Sequence, residues 1–147
     1  MNTNEIELQV RRRSRAASKL FRGVFSSDQL PSFNSAPYSF IANCDGHDSP
    51  GSHWVAFYIH DGSAEFFDSY GRSPYDQMFP SSFGSYVNKL KCIYNTRILE
   101  GVFDNTCGAF CIYFVCKRAL GLTYKNVLNS FSSDMEINHS IVRSFLK

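Results

Sequence analysis

Two runs rich in β-formers, His53–His60 and Ser63–Ser69, are separated only by the dipeptide Asp61-Gly62. A two-residue connection of this composition reads as a tight hairpin turn and leaves one register: His60 opposite Ser63, Ile59 opposite Ala64, Phe57 opposite Phe66, Val55 opposite Asp68. One face is then apolar until its far end, where His53 and Asp68 become diagonal neighbours about 7–8 Å apart at the backbone. A three-residue loop would shift the parity and separate the two side chains. The apolar pairing of Phe57 with Phe66 favours the two-residue form.

Around this hairpin the chain reads as one domain spanning 1–147, with no repeat, long linker or low-complexity segment. Residues 4–20 carry Ile6, Val10, Ala17 and Leu20 loosely on one helix face, and 1–22 form a basic N-terminal helix or arm. A loop between Pro31 and Pro37 leads to a strand at Tyr38–Ala42, and a polar loop follows from Asn43 to Ser52. Pro80–Leu90 is read as a short helix, with a strand from Lys91 or Cys92 to Leu99. Residues 107–120 are apolar nearly all round, the mark of a buried central helix, which Asn105 or Thr106 can cap. A last helix opens at Ser132 or Ser133 and places Ile137, Ile141, Val142 and Phe145 at helical spacing. The expected class is α+β, a central mixed β-sheet flanked by helices, and fourteen Phe with eight Tyr favour it over a Leu-rich bundle.

Five cysteines, an odd number, argue against a secreted disulfide framework and for a reducing intracellular compartment. No stretch has the length of a membrane span, and the N-terminus lacks the apolar core of a signal peptide. The expected protein is a monomer that does not contact membrane.

Cys107 stands at the predicted N-terminus of the buried helix, where the macrodipole and free amides favour a thiolate. Cys44, Cys92, Cys111 and Cys116 read instead as structural cysteines. Of four histidines, His53 shares a predicted face with Asp68; His60 lies on the opposite face, His47 in the polar loop and His139 on the last helix. Alone, His53 would be a surface histidine and Asp68 a turn residue closing a strand. Together with Cys107 they supply a base, a group to orient it and a nucleophile. Zinc is the rival reading, but Cys44-x-x-His47 has no matching second pair and Cys116 lies across the helix from Cys107.

The order His, Asp, Cys excludes papain-like enzymes, whose cysteine comes first. Three blocks resemble the adenovirus endopeptidase (adenain) family and the related SUMO and ubiquitin-like-protein proteases: Gly51-Ser52-His53-Trp54-Val55-Ala56, Phe67-Asp68-Ser69-Tyr70-Gly71 and Asn105-Thr106-Cys107-Gly108-Ala109-Phe110-Cys111. The resemblance implies an adenain-like cysteine protease fold, with His53 as base, Asp68 orienting it and Cys107 as nucleophile at the start of the central helix. It further implies that Trp54 lines a narrow channel admitting small residues, chiefly glycine, before the scissile bond. Gly108 would allow a substrate backbone to approach. The small size is similar to viral and transposon-borne members, which implies a host nucleus or virion as the place of action.

One position departs from the family. Relatives carry a glutamine seven residues before the cysteine as an oxyanion donor, and here that position is Glu100. The backbone amide of Cys107 would remain as the second donor. The leading expectation is a cysteine endopeptidase acting on a protein substrate with a Gly-rich cleavage site. Its rival is a pseudoprotease that grips a glycine-rich tail without efficient turnover, and Glu100 is that reading's main support. No cofactor is required by the chemistry. The resemblance implies DNA or an activating peptide as accessory factors, and Arg11, Arg12, Arg13, Arg15, Lys19 and Arg22 are the residues that would contact nucleic acid. The alternative for that run is a solvated helix face, with no interleaved aromatics to read sequence.

Overall fold

The computed structural model describes residues 1–32, 35–46, 53–101 and 105–147. His47, and with it the Cys44-x-x-His47 spacing, Gly51 and Ser52 lie outside the described residues.

The N-terminal segment read as one helix is two: α1 (Thr3–Arg13) and α2 (Arg15–Leu20). Ser14 between them is extended, and its hydroxyl accepts from the Ala17 N–H at 2.9 Å. A serine that finds this bond ends one helix and caps the next. α1 starts in a capping box, in which Asn2 accepts the Glu5 N–H and Glu5 accepts the Asn2 N–H.

Among the described residues there are five strands, β1 (Phe21–Ser26), β2 (Tyr38–Asn43), β3 (Trp54–His60), β4 (Ser63–Phe67) and β5 (Lys91–Tyr94). They lie in that order in one sheet. β1 pairs parallel to β2, β2 antiparallel to β3, β3 antiparallel to β4, and β4 parallel to β5, so the sheet is mixed. The hairpin has the expected register, with Ile59 opposite Ala64 and Phe57 opposite Phe66. Asp61 and Gly62 both take positive φ (36° and 74°), as a two-residue primed turn requires. β1 was not expected from the sequence. Gly23 at φ 128° and a register shift between Phe21 and Val24 interrupt the alternation by which strands are read. β5 ends at Tyr94 rather than Leu99, because the chain leaves the sheet at Asn95 to pack against the turn after β4.

Side-chain alternation divides the core between the two sheet faces. Ile41, Trp54, Ala56, Tyr58 and Phe67 face the central helix α4 (Cys107–Ala119). Phe40, Val55, Phe57, Ala64 and Phe66 face α3 (Ser81–Val87), meeting Phe79, Phe83 and Val87. Every residue of α4 from Cys107 to Cys116 is buried. α1, α2, α5 (Tyr124–Asn129) and α6 (Met135–Phe145) surround it. The short α5, capped by Thr123, was not expected, and α6 starts after Asp134 rather than at Ser132 or Ser133. No described helix is long and apolar enough to cross a membrane.

Candidate active site

β3 starts one residue after His53 and β4 ends one residue before Asp68, so both stand just beyond the ladder at one end of the sheet. Their side chains share a face, as the hairpin register demands, and His53 Nε2 lies 2.6 Å from Asp68 Oδ1. That contact leaves Nδ1 free of the carboxylate, and Cys107, at the N-terminus of α4, is the ring's second polar neighbour. The tertiary structure therefore gathers His53, Asp68 and Cys107, three residues from two strand ends and a helix start.

Asp68 is fully buried, and its second oxygen accepts from both the backbone N–H and the Nε of Arg72, each at 3.0 Å. Its backbone is held as well: Asn95 accepts the Asp68 N–H and donates to the Asp68 carbonyl at 2.7 Å. Asn95 is itself fixed by the Tyr124 hydroxyl at 3.1 Å. The turn Asp68–Gly71 closes through Gly71 N–H to the Asp68 carbonyl, 2.9 Å. Gly71 has φ 73°, and a Cβ there would come within 2.6 Å of the Arg97 carbonyl oxygen, so only glycine fits. Tyr70 and Phe79 lie on the His53 ring with centroids at 5.2 and 6.3 Å, and the Arg72 guanidinium covers both aromatics. Sequence reasoning missed Arg72 and Asn95. Arg72 was in principle visible, four residues after Asp68 across a glycine turn that brings the chain back.

Burial alone would pull the His53 imidazolium down, but hydrogen bonding and charge from Asp68 and Cys107 outweigh it and raise its pKa to about 9. Burial likewise opposes the charge on Asp68, yet His53 and Arg72 hold the carboxyl below its usual range. Burial pushes Cys44 up to about 12, Cys92 to about 11, Cys116 to about 12 and Cys111 well above the ordinary thiol value.

Glu100 is buried at the base of the site. Its Oε1 accepts from the Ser69 hydroxyl at 2.6 Å, while Oε2 accepts from the Thr106 backbone N–H at 2.6 Å and the Thr106 hydroxyl at 3.2 Å. Both carboxylate oxygens are thus engaged as acceptors. It ties the turn after β4 to the residue preceding Cys107. Because the Thr106 hydroxyl is committed to Glu100, it does not cap α4, whose N-terminus has no side-chain cap. The first amides of α4 have no intrahelical acceptor and, among the described residues, no other partner, so they can meet negative charge.

Beside Cys107 lies a groove of about 330 Å³, walled by Met1, Trp54, Gly108, Arg143 and Leu146. Trp54 serves both core and groove. The open side of Gly108 faces Ile6, Met1 and Trp54 at 3.4–3.5 Å, ordinary contact distances for an added Cβ.

The basic run does not form one free stripe. Arg11 pairs with Glu7 at 3.1 Å and also donates to the Ser18 carbonyl. Arg13 donates to the carbonyls of Phe145, Leu146 and Lys147, closing the end of α6, and Arg22 donates to the carbonyls of Lys19 and Leu20. Arg12, Arg15 and Lys19 are exposed. No group of three or more potential metal-binding side chains forms among the described residues.

The sequence matches no protein-family profile and no curated protein. The fold is α+β, a mixed five-stranded sheet with helices, and it is similar to that of a solved protease. The solved structure of ASFV pS273R protease aligns with a TM-score of 0.62 over 99% of this chain, at 16% identity. This chain spans 66% of that protein's length. A selenomethionine form of the same ASFV protease aligns less extensively, with a TM-score of 0.44 and 21% identity over 71% of this chain and 43% of that one.

Proposed function

We propose that this protein is a cysteine endopeptidase using Cys107, His53 and Asp68, related to the adenain-like proteases. The observation that carries the reading is His53, bonded to a buried, charge-stabilised Asp68 on one side and adjoining the helix-start Cys107 on the other. The Cys107 sulfur, its proton passed to His53, would attack the carbonyl carbon of the scissile amide, placing the negative charge on its oxygen beside the amides of α4. His53 would give its proton to the leaving amine as the C–N bond breaks, leaving a thioester on Cys107. Water, losing its proton to His53, would then cleave the thioester and restore the thiol. Asp68 holds the imidazole in place and stabilises its charged form throughout.

The substrate in this reading is a protein with a Gly-rich cleavage site, whose small residues pass Trp54. An activating peptide or DNA, and action in a host nucleus or virion, belong to the same proposal by resemblance. Glu100 favours one alternative, a pseudoprotease that binds a glycine-rich tail, because its carboxylate replaces a side-chain donor. A glycine-glycine vinyl sulfone peptide separates the readings. The protease should form a thioether at Cys107, lost in Cys107→Ala and slowed in His53→Ala, and should hydrolyse the matching amide. Tight peptide binding without adduct or hydrolysis would favour the pseudoprotease.

A further inference from the structure

We propose that the groove beside Cys107 is a subsite for an acidic side chain in the peptide ahead of the scissile bond, recognised by Arg143; this rests on the peptidase reading above. Among the described residues, Arg143 is the only charged side chain lining the groove, in which Trp54, Leu146 and Met1 provide apolar walls. Among the described residues its guanidinium has no carboxylate partner. Its neighbours one turn away along the chain are His139, Ser140, Leu146 and Lys147, none with an acidic side chain. Among the described residues, the other elements at the groove do not supply an acid either. The first turn of α4 has none, and Glu5 in the first turn of α1 is engaged with Asn2. An arginine in the last turn of a helix would suit the macrodipole wherever it pointed. Lining the groove that contains the nucleophile is a separate property, and it sets positive charge where the peptide must lie. An arginine meets a carboxylate with two parallel N–H donors, so the complementary ligand is Asp or Glu rather than a merely polar residue.

Trp54 is the chain's only tryptophan and walls the groove, so its emission reports occupancy without turnover. The experiment titrates Cys107→Ala with end-blocked peptides in which Glu, Gln or Lys is scanned through positions ahead of a Gly-Gly pair. At one position the Glu peptide should bind about fivefold more tightly than the Gln peptide, the upper range for a partly exposed ion pair, and the Lys peptide should be weakest. The preference should shrink in high salt. Arg143→Lys should retain the order and Arg143→Glu should reverse it in favour of Lys. Equal midpoints for the three peptides, an order unchanged in Arg143→Glu, or no emission change with any peptide would overturn the proposal. Equal competition by acetate or phosphate would also overturn it, by making the groove a general anion site. Failure of the peptidase reading shows elsewhere, as absent labelling of wild-type Cys107 by the vinyl sulfone.

Discussion

Arg72 grips Asp68 through two donors, its backbone N–H and its Nε, both 3.0 Å from Oδ2, and this leaves Oδ1 to His53 alone. The orienting carboxylate is therefore divided by function, one oxygen fixed to the scaffold and one serving the imidazole. Arg72→Met should free Asp68 to rotate and weaken the charge that holds its carboxyl low. Loss of a charge-assisted bond should lower kcat about 10-fold with KM little changed. Arg72→Lys should recover only part of the rate, since lysine lacks the fixed fork. Peptide hydrolysis kinetics check this, and an equal loss in KM would assign Arg72 to binding instead.

His53 should titrate near 9 by imidazole NMR, well above the ordinary 6.5. A raised folded pKa stabilises the folded chain fully below 6.5, and that contribution disappears as pH rises through about 9. The urea midpoint should accordingly fall across that interval. Asp68→Asn removes the principal partner, so the His53 titration should move down from about 9 and this part of the pH profile should flatten. An unchanged titration in Asp68→Asn would refute the pairing.

Iodoacetamide near neutral pH should modify Cys107 ahead of the other four cysteines, all of which burial keeps protonated. Peptide mapping by mass spectrometry after brief labelling gives the order directly. Equal labelling of all five in the folded protein would remove the case for Cys107 as nucleophile.

Glu100→Leu leaves the Ser69 hydroxyl and the Thr106 N–H and hydroxyl without their acceptor. Each buried orphan should cost about 1–3 kcal/mol, and displacement of Thr106 should also slow labelling of Cys107. Glu100→Gln keeps one accepting oxygen for Thr106 and turns an amide toward Ser69. Because both carboxylate oxygens are already engaged, it should alter turnover by less than about threefold, against the 100-fold or more associated with a true oxyanion donor. A large gain in rate, greatest at alkaline pH, would instead put this side chain on the oxyanion.

Nucleic-acid contact by the N-terminal helices would fall to Arg12, Arg15 and Lys19, because Arg11, Arg13 and Arg22 donate to groups within the protein. Reversing the charge of the exposed three should abolish retention on DNA, and wild-type affinity should fall with salt at a log–log slope of about −3. Retention unaffected by those substitutions would exclude this surface.

The hairpin and the start of the central helix were legible because each rests on short-range rules, whereas the meeting of Cys107 with His53 was an expectation carried by the family resemblance. A two-residue turn admits one parity, which assigns His53 and Asp68 to the same face, and the apolar run from Cys107 can only be a buried helix. Segments whose structure depends on distant partners were not legible. β1 exists by pairing with β2 despite Gly23, Ser14 divides a helix by capping its successor, and β5 stops where Asn95 turns to hold Asp68.

The sequence by itself determined the register, the helix start and the kinds of group available for chemistry, since dihedral limits and side-chain periodicity act between near neighbours. Only the tertiary structure decided what surrounds them. Arg72 on Asp68, Glu100 buried under Ser69 and Thr106, and Arg143 on the wall of the groove bring together side chains from separate elements. The physical reason is that a buried carboxylate must find donors wherever folding brings them, and local sequence does not encode which distant donors arrive.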